Sequence, residues 1–319
     1  MISVIITTKN RINLLKNAIE SALEQTYTNF ELIIVDDNSI DETKKYCEEL
    51  LSNDKRIRYI SIPEIGSTGA NHARNIGIKN SKGDYIAFLD DDDKWHPEKL
   101  EKVINKFYED NEYGMVFSST KKIASHKNNK VNIIKVEKPS KKDLENIKHN
   151  ILMNNFIGGT SNPVIKKDVL INVGYFDEKL PDRQDYELWI RIAQSYKIGY
   201  IDEPLTNYYF EVNSRKQITS GIKSFVDSSE YLYMKHENLF NTLSKKEKKD
   251  RLYSDYWLIC ERALYTQYKS AYKKYMKKRI LLKYKIKDII LYLMTFFKMK
   301  KILYIKYAVD IIKCKKISG

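Results

Sequence analysis

The chain has 319 residues, 42% of them hydrophobic, with a formal net charge of +14 and a pI near 9.3. That length and apolar content suffice to bury a full core, as one large domain with an appendage or as two modest domains, and they exclude a disordered or fibrous protein. Three widely separated cysteines, Cys47, Cys260 and Cys314, with no CxxC pair, exclude a disulfide scaffold and a zinc ribbon and suit a reducing compartment.

The first apolar run, residues 3–7, is β-branched and continuous, as in a strand buried on both faces. It is too short for a signal peptide and has no basic leader, so the mature chain is expected to begin at Met1. Residues 12–26 then put Leu15, Ile19, Ala22 and Leu23 on one helical face. The alternation repeats with strands at 31–35, 57–62 and 85–89 and helices at 41–51 and 69–80. A helix over 97–110, with Pro97 in its first turn, precedes a strand at 115–118. Residues 120–148 are polar and lysine-rich and read as an excursion or loop; Gly158-Gly159 leads to a strand at 163–165, and 174–177 read as a turn. Residues 186–195 form a helix whose buried side is Leu188, Trp189 and Ile192, and past residue 220 only helical patterns rich in Lys and Tyr remain. Strands alternating with helices predict an α/β fold, a mostly parallel sheet with helices on both faces and ligands at the carboxyl ends of the strands.

Four consecutive aspartates, Asp90, Asp91, Asp92 and Asp93, stand at such an end, and Asp36-Asp37 stand at another. Adjacent like charges repel unless solvent, a cation or a partner offsets them. An acidic run alone is equally a solvated loop. Its position after a buried strand points instead to Mg²⁺ or Mn²⁺ holding a phosphorylated substrate.

The segments Ser3-Val4-Ile5-Ile6-Thr7-Thr8-Lys9-Asn10-Arg11, Val35-Asp36-Asp37-Asn38-Ser39, Phe88-Leu89-Asp90-Asp91-Asp92-Asp93 and Gln184-Asp185-Tyr186-Glu187-Leu188-Trp189-Ile190-Arg191 resemble, in order, the motifs of inverting family 2 glycosyltransferases with the Rossmann-like GT-A fold. The resemblance spans residues 1–215. It implies a catalytic domain over 1–220; residues 221–319, outside the resemblance, read as a basic helical extension. Thr7 and Lys9 would face the nucleotide base, although the family usually has an aromatic residue where Lys9 stands. Asp37 would accept the uracil N–H, which favours a UDP-sugar donor over a cytidine one. Arg74 would approach the nucleotide, with an ordinary helix-surface arginine as the other reading. Asp90 and Asp91 would face the ribose and the metal's hydration shell, Asp92 would ligate the metal, and Asp93 would cap the following helix. Asp185 would be the catalytic base, ionised at neutral pH, with Glu187 as second choice. Glu211 stands where the family often has a histidine, leaving Arg215 or a nearby lysine to supply positive charge. The five histidines have no metal-ligand spacing and read as surface or helix residues.

Most of the excess positive charge follows Lys245. Ile286, Ile289, Ile290, Leu293 and Phe297 have helical spacing among Lys283, Lys285, Lys287, Lys298, Lys300 and Lys301, a pattern suited to an anionic membrane surface or to packing on the catalytic domain. The longest uncharged stretch there, 289–297, is well short of the ~20 residues that span a bilayer. With lipid-linked acceptors implied by the resemblance, the expected location is cytoplasmic, at the inner face of the cell membrane, and a glycan or lipid-linked glycan is the expected acceptor. No nucleic-acid reading motif accompanies the lysines. Two rivals are a nucleotidyltransferase, which would normally show a glycine in the loop at Thr7 to Arg11, and a basic membrane or nucleic-acid adaptor with a degenerate transferase fold.

Overall fold

A computed structural model of the chain describes residues 1–66, 69–125, 131–211, 221–266 and 268–294. It opens as alternating strands and helices: β1 (Ile2–Thr8), α1 (Ile12–Leu23), β2 (Phe30–Asp36), α2 (Thr43–Asn53), β3 (Ile57–Ser61), α3 (Ala70–Asn80) and β4 (Tyr85–Asp90). Next come β5 (Lys94–Trp95), α4 (Lys99–Glu109), β6 (Tyr113–Ser125), β7 (Val131–Glu137), α5 (Lys141–Glu145), α6 (Ile147–Asn150), β8 (Val164–Lys166) and α7 (Lys167–Val173). The chain continues through α8 (Gln184–Ser195), β9 (Lys197–Glu211), α9 (Ile222–Lys235), α10 (Glu237–Asn241), α11 (Lys245–Tyr265), α12 (Lys269–Leu282) and α13 (Ile286–Leu293).

The strands form one nine-stranded sheet in the order β3-β2-β1-β4-β8-β6-β9-β5, with β7 paired to β6. β1 lies between β2 and β4 and pairs with both in parallel, so Thr8 is level with Asp36 and Thr7 with Asp90. That register brings the two acidic segments to one edge. Alternation along the strands divides the core. Ile5, Ile33, Val35 and Phe88 face α3 and α8; Val4, Ile6, Leu32, Ile34 and Leu89 face α1 and α4. Gly77 lets α3 lie close against β1, since a Cβ there would come within 2.5 Å of Ile5.

Beyond β4 the sheet is mixed: β8 is antiparallel to β4 and β6, whereas β9 runs parallel to β6. The polar stretch read as an excursion is largely structured. β6 runs on to Ser125 and pairs with β7, and Ser140 and Asp143 then form a capping box on α5. Lysines 121, 122 and 135 on this outlying hairpin obscure its strand pattern. After residue 220, Leu232, Phe240 and Leu243 join the core that contains Ile5 and Phe88, whereas α11, α12 and α13, with Phe225 of α9, build a third cluster around Cys260, Tyr272 and Met276.

Candidate active site

The carboxyl ends of β1, β2 and β4 gather the acids, and arginines compensate them. Arg74 Nη2 donates to Asp90 Oδ1 at 2.6 Å, Thr160 Oγ1 donates to Asp90 Oδ2 at 2.7 Å, and the Asp90 amide donates to Ser161 Oγ. Arg74 is 6% exposed and lies under Phe176, so it is not a helix-surface arginine. Asp91 accepts from Thr8 Oγ1 at 2.8 Å and from Arg11 Nη1 at 2.9 Å, and the same Nη1 lies 3.3 Å from Asp92 Oδ2. Burial raises the Asp91 carboxyl above its ordinary range, with Arg11 and Thr8 opposing. Thr7 is half-buried in register with Val35 and Asp90, while Thr8 makes the hydrogen bond to the acidic block.

Asp93 does not cap α4. That helix begins after Glu98 without a side-chain cap, and Asp93 turns inward to accept from the Tyr209 amide of β9. Burial, with Asp92 and Asp90 beside it, pushes the Asp93 carboxyl well up. Buried Lys99 donates to Asn162 O and Thr206 Oγ1; burial lowers its pKa to about 7, with Asp93 opposing.

Beside β1, the loops after β1 and β2 are tied together through Asn10 and Ser39. The Asn10 amide donates to Ser39 Oγ, and Asn10 Oδ1 accepts from the Ile40 amide, both at 2.8 Å. Asn10 and Asn38 take the left-handed conformation that asparagine tolerates. Asp37 is buried, with Lys9 Nζ 3.5 Å from its Oδ2. Among the described residues its buried Oδ1 receives no hydrogen bond.

Asp185 is the second residue of α8 and accepts from the Tyr186 amide at 2.6 Å. Burial raises its pKa to about 6 against that hydrogen bond; Asp182 and Asp90 push it further up and Arg74 holds it down. Arg74 and Asp90 therefore act electrostatically on both the acidic block and Asp185, so α3, β4 and α8 converge. Glu187, the second choice for a base, is fully buried in an ion-pair network with Arg191, Lys235 and His236. Burial alone would raise its carboxyl, but His236, Arg191 and Lys235 bring it down to about 2. Glu187 is thus structural, and His236 is its partner rather than a surface residue. Glu211 ends β9, and Arg215 lies outside the described residues.

Sequence reasoning gave no role to Arg11, Thr160 or Arg183. Arg11 stood in a quoted motif and had a signal, a cation eighty residues from its acids but one turn from the same sheet edge. Arg183 had none; it precedes α8 in a left-handed conformation, φ 59°, which costs a non-glycine residue roughly 1–2 kcal/mol.

Among the described residues no three His, Cys, Asp or Glu side chains group to hold a metal ion by themselves. The acids at β4 fit a hard divalent ion that shares its coordination with substrate phosphates, since Mg²⁺ is commonly bound by one or two carboxylates plus phosphate oxygens.

The sequence profile of glycosyl transferase family 2 matches residues 3–174, more than half of the chain. The chain belongs to this family. An uncharacterized glycosyltransferase of Rickettsia conorii is 32% identical over 86% of this chain, which spans 44% of that relative's length. A protein of Escherichia coli K12 assigned by name to colanic acid biosynthesis, WcaA, is 32% identical over 79% of this chain and 87% of its own. The GT-A fold is shared with S. aureus TarS 1–349 solved with UDP-GlcNAc (TM-score 0.57, 16% identity, covering 92% of this chain and 79% of that one). It is shared too with the mannosyltransferase PcManGT of Pyrobaculum calidifontis solved with GDP-Man and Mn²⁺ (TM-score 0.56, 15% identity, covering 98% and 86%). Family membership sets aside the nucleotidyltransferase reading. Asp185 lies beyond the residues that the family profile matches.

Proposed function

We propose that this chain transfers a hexose or N-acetylhexosamine from a UDP-sugar to a hydroxyl of a lipid-linked or surface glycan, inverting the anomeric carbon and using Mn²⁺ or Mg²⁺. The observation that supports the reading is that Asp37 and the Asp90 to Asp92 block follow neighbouring strand ends, with Asp185 of α8 within electrostatic reach of Asp90 and Arg74. The sugar-nucleotide complexes of the two structural neighbours and the naming of the E. coli relative support it.

The Asp37 Oδ1, which among the described residues receives no hydrogen bond, suits the N3–H of uracil, where cytosine offers only an acceptor. Thr7 and Lys9 flank the base, and Asp90 and Asp91 face the ribose and the ion's water shell. Asp92 would hold the divalent ion, which would supply positive charge to stabilise the leaving diphosphate. Arg11 and Arg74 keep the acids compensated and oriented. Asp185 takes the proton of the acceptor hydroxyl as that oxygen bonds to the anomeric carbon. The bond from that carbon to the diphosphate breaks on the opposite face, and its electron pair leaves with UDP.

A base must be ionised to act, and a raised pKa narrows the range in which it is. Turnover is therefore expected to fall below an acidic limb near pH 6, set by the Asp185 value of about 6. Initial rates of UDP release from pH 3.5 to 8 check this; a limb near pH 4, about the value for an ordinary aspartate, would contradict it.

The acceptor's class leads to a surface contact. Among the described residues no helix is long and apolar enough to cross a membrane. Leu281, Tyr284, Ile286, Ile290 and Leu293 are nonetheless exposed beside Lys283, Lys285 and Lys287, an arrangement suited to an anionic leaflet. Phe297, Lys298, Lys300 and Lys301 lie outside the described residues. Removing the whole extension is a poor test, because α9 and α10 share the catalytic core. Ile286→Asp with Ile290→Asp is expected to lower cosedimentation with phosphatidylglycerol vesicles several-fold; equal binding would leave α13 as a packing element.

A further inference from the structure

Three arginines join the segment before α8 and the first turn of α8 to the C-terminal helices. Arg183 donates through Nη1 to Ser229 Oγ of α9 at 2.7 Å and through Nη2 to Asp255 Oδ1 of α11 at 3.1 Å. Arg262 of α11 donates to Asp182 Oδ1 at 3.0 Å, and its guanidinium lies 4.2 Å from the Phe225 ring centre. Arg251 of α11, 1% exposed, donates to Tyr186 Oη at 2.6 Å and to the Leu152 carbonyl. Residues 182, 183 and 186 are thus each gripped from α11, and Asp185 stands inside that grip. Arg183 holds its left-handed conformation at the point where the chain enters α8. Backbone strain at a functional segment persists only where the surroundings over-determine it, as the buried Arg183–Asp255 ion pair and the Ser229 hydrogen bond do here.

We infer that Arg183, Asp255 and Arg262 are positioning residues for the transfer reaction: α11 fixes where Asp185 stands and what charge faces it. The inference rests on the proposed role of Asp185 as base. The catalytic constellation then extends well beyond the matched family region, and the helices past residue 220 belong to the active site's support. Asp185 is faced by Asp182 from its own segment, Asp90 from β4 and Arg74 from α3, and Arg262 compensates the first of these. Without that guanidinium the Asp182 charge acts more strongly on Asp185 and favours its protonated form.

The test uses the full chain and UDP release with water as acceptor, from whichever sugar of a UDP-hexose and UDP-N-acetylhexosamine panel turns over fastest. Arg262→Met keeps the stem over Phe225 and removes the charge. It is expected to lower turnover roughly 10-fold and to move the acidic limb up by roughly half a pH unit, with UDP affinity unchanged. Arg262→Lys is expected to restore the limb. Added to Asp185→Asn, Arg262→Met should cost almost nothing more, because both act through one carboxylate. An unmoved limb with normal turnover would overturn the inference. So would an equal loss from Arg262→Met with and without Asp185→Asn, which leaves the base assignment standing. Normal turnover of Asp185→Asn alone would instead remove the base assignment on which the inference rests.

Discussion

Asp185→Asn is expected to lower turnover by ~10²–10⁴-fold while leaving UDP affinity near wild type. Asparagine has the same shape and its amide oxygen can still accept from the Tyr186 amide, so the first turn of α8 keeps its geometry. What is lost is the capacity to take a proton. The environment explains why this carboxylate can do so: burial and the neighbouring Asp182 and Asp90 raise it to about 6, closer to the pH at which it works than an exposed aspartate would be. Glu187 cannot replace it, since its charge is already shared among Arg191, Lys235 and His236. Single-turnover rates and UDP titrations on the same preparation separate the two effects. A variant with normal turnover would remove Asp185 as the base.

Asp92→Ala is expected to abolish the gain in UDP affinity that Mn²⁺ brings. In wild type, Arg11 lies between Asp91 and Asp92, so the block is compensated before any ion arrives. Alanine at 92 removes the proposed direct ligand and leaves Arg11 paired with Asp91, which retains its Thr8 hydrogen bond. The fold should therefore survive, and the ratio of UDP affinities with Mn²⁺ and with chelator should fall to about one. Calorimetric titration under both conditions measures the ratio directly. An unchanged ratio would count against Asp92 as the ligand.

The sheet's first half was legible because β1, β2 and β4 are buried on both faces and therefore read as unbroken apolar runs. β9 was not legible. Asp202-Glu203-Pro204 interrupts it, and it accommodates that interruption by shifts of register against Ser118 and Ser119 of β6. The positions of Asp37, Asp90 to Asp92 and Asp185 along the chain could be read from motifs on recognisable elements. Their partners could not: Arg11 and Asp91 are 80 positions apart, as are Arg262 and Asp182. Asp93 misled because an acid ahead of a helix usually caps it, whereas the tight turn after Asp90 aims this one inward.

The central claim is that the acidic edge binds a uridine diphosphate group through a divalent ion. Its most direct test is calorimetric titration of the full chain with UDP, GDP and CDP, each with Mn²⁺ and with chelator. Binding of UDP that strengthens with Mn²⁺ and exceeds that of GDP and CDP is the expected result. Failure to bind any of the three, or binding of CDP as tight as that of UDP, would contradict the account.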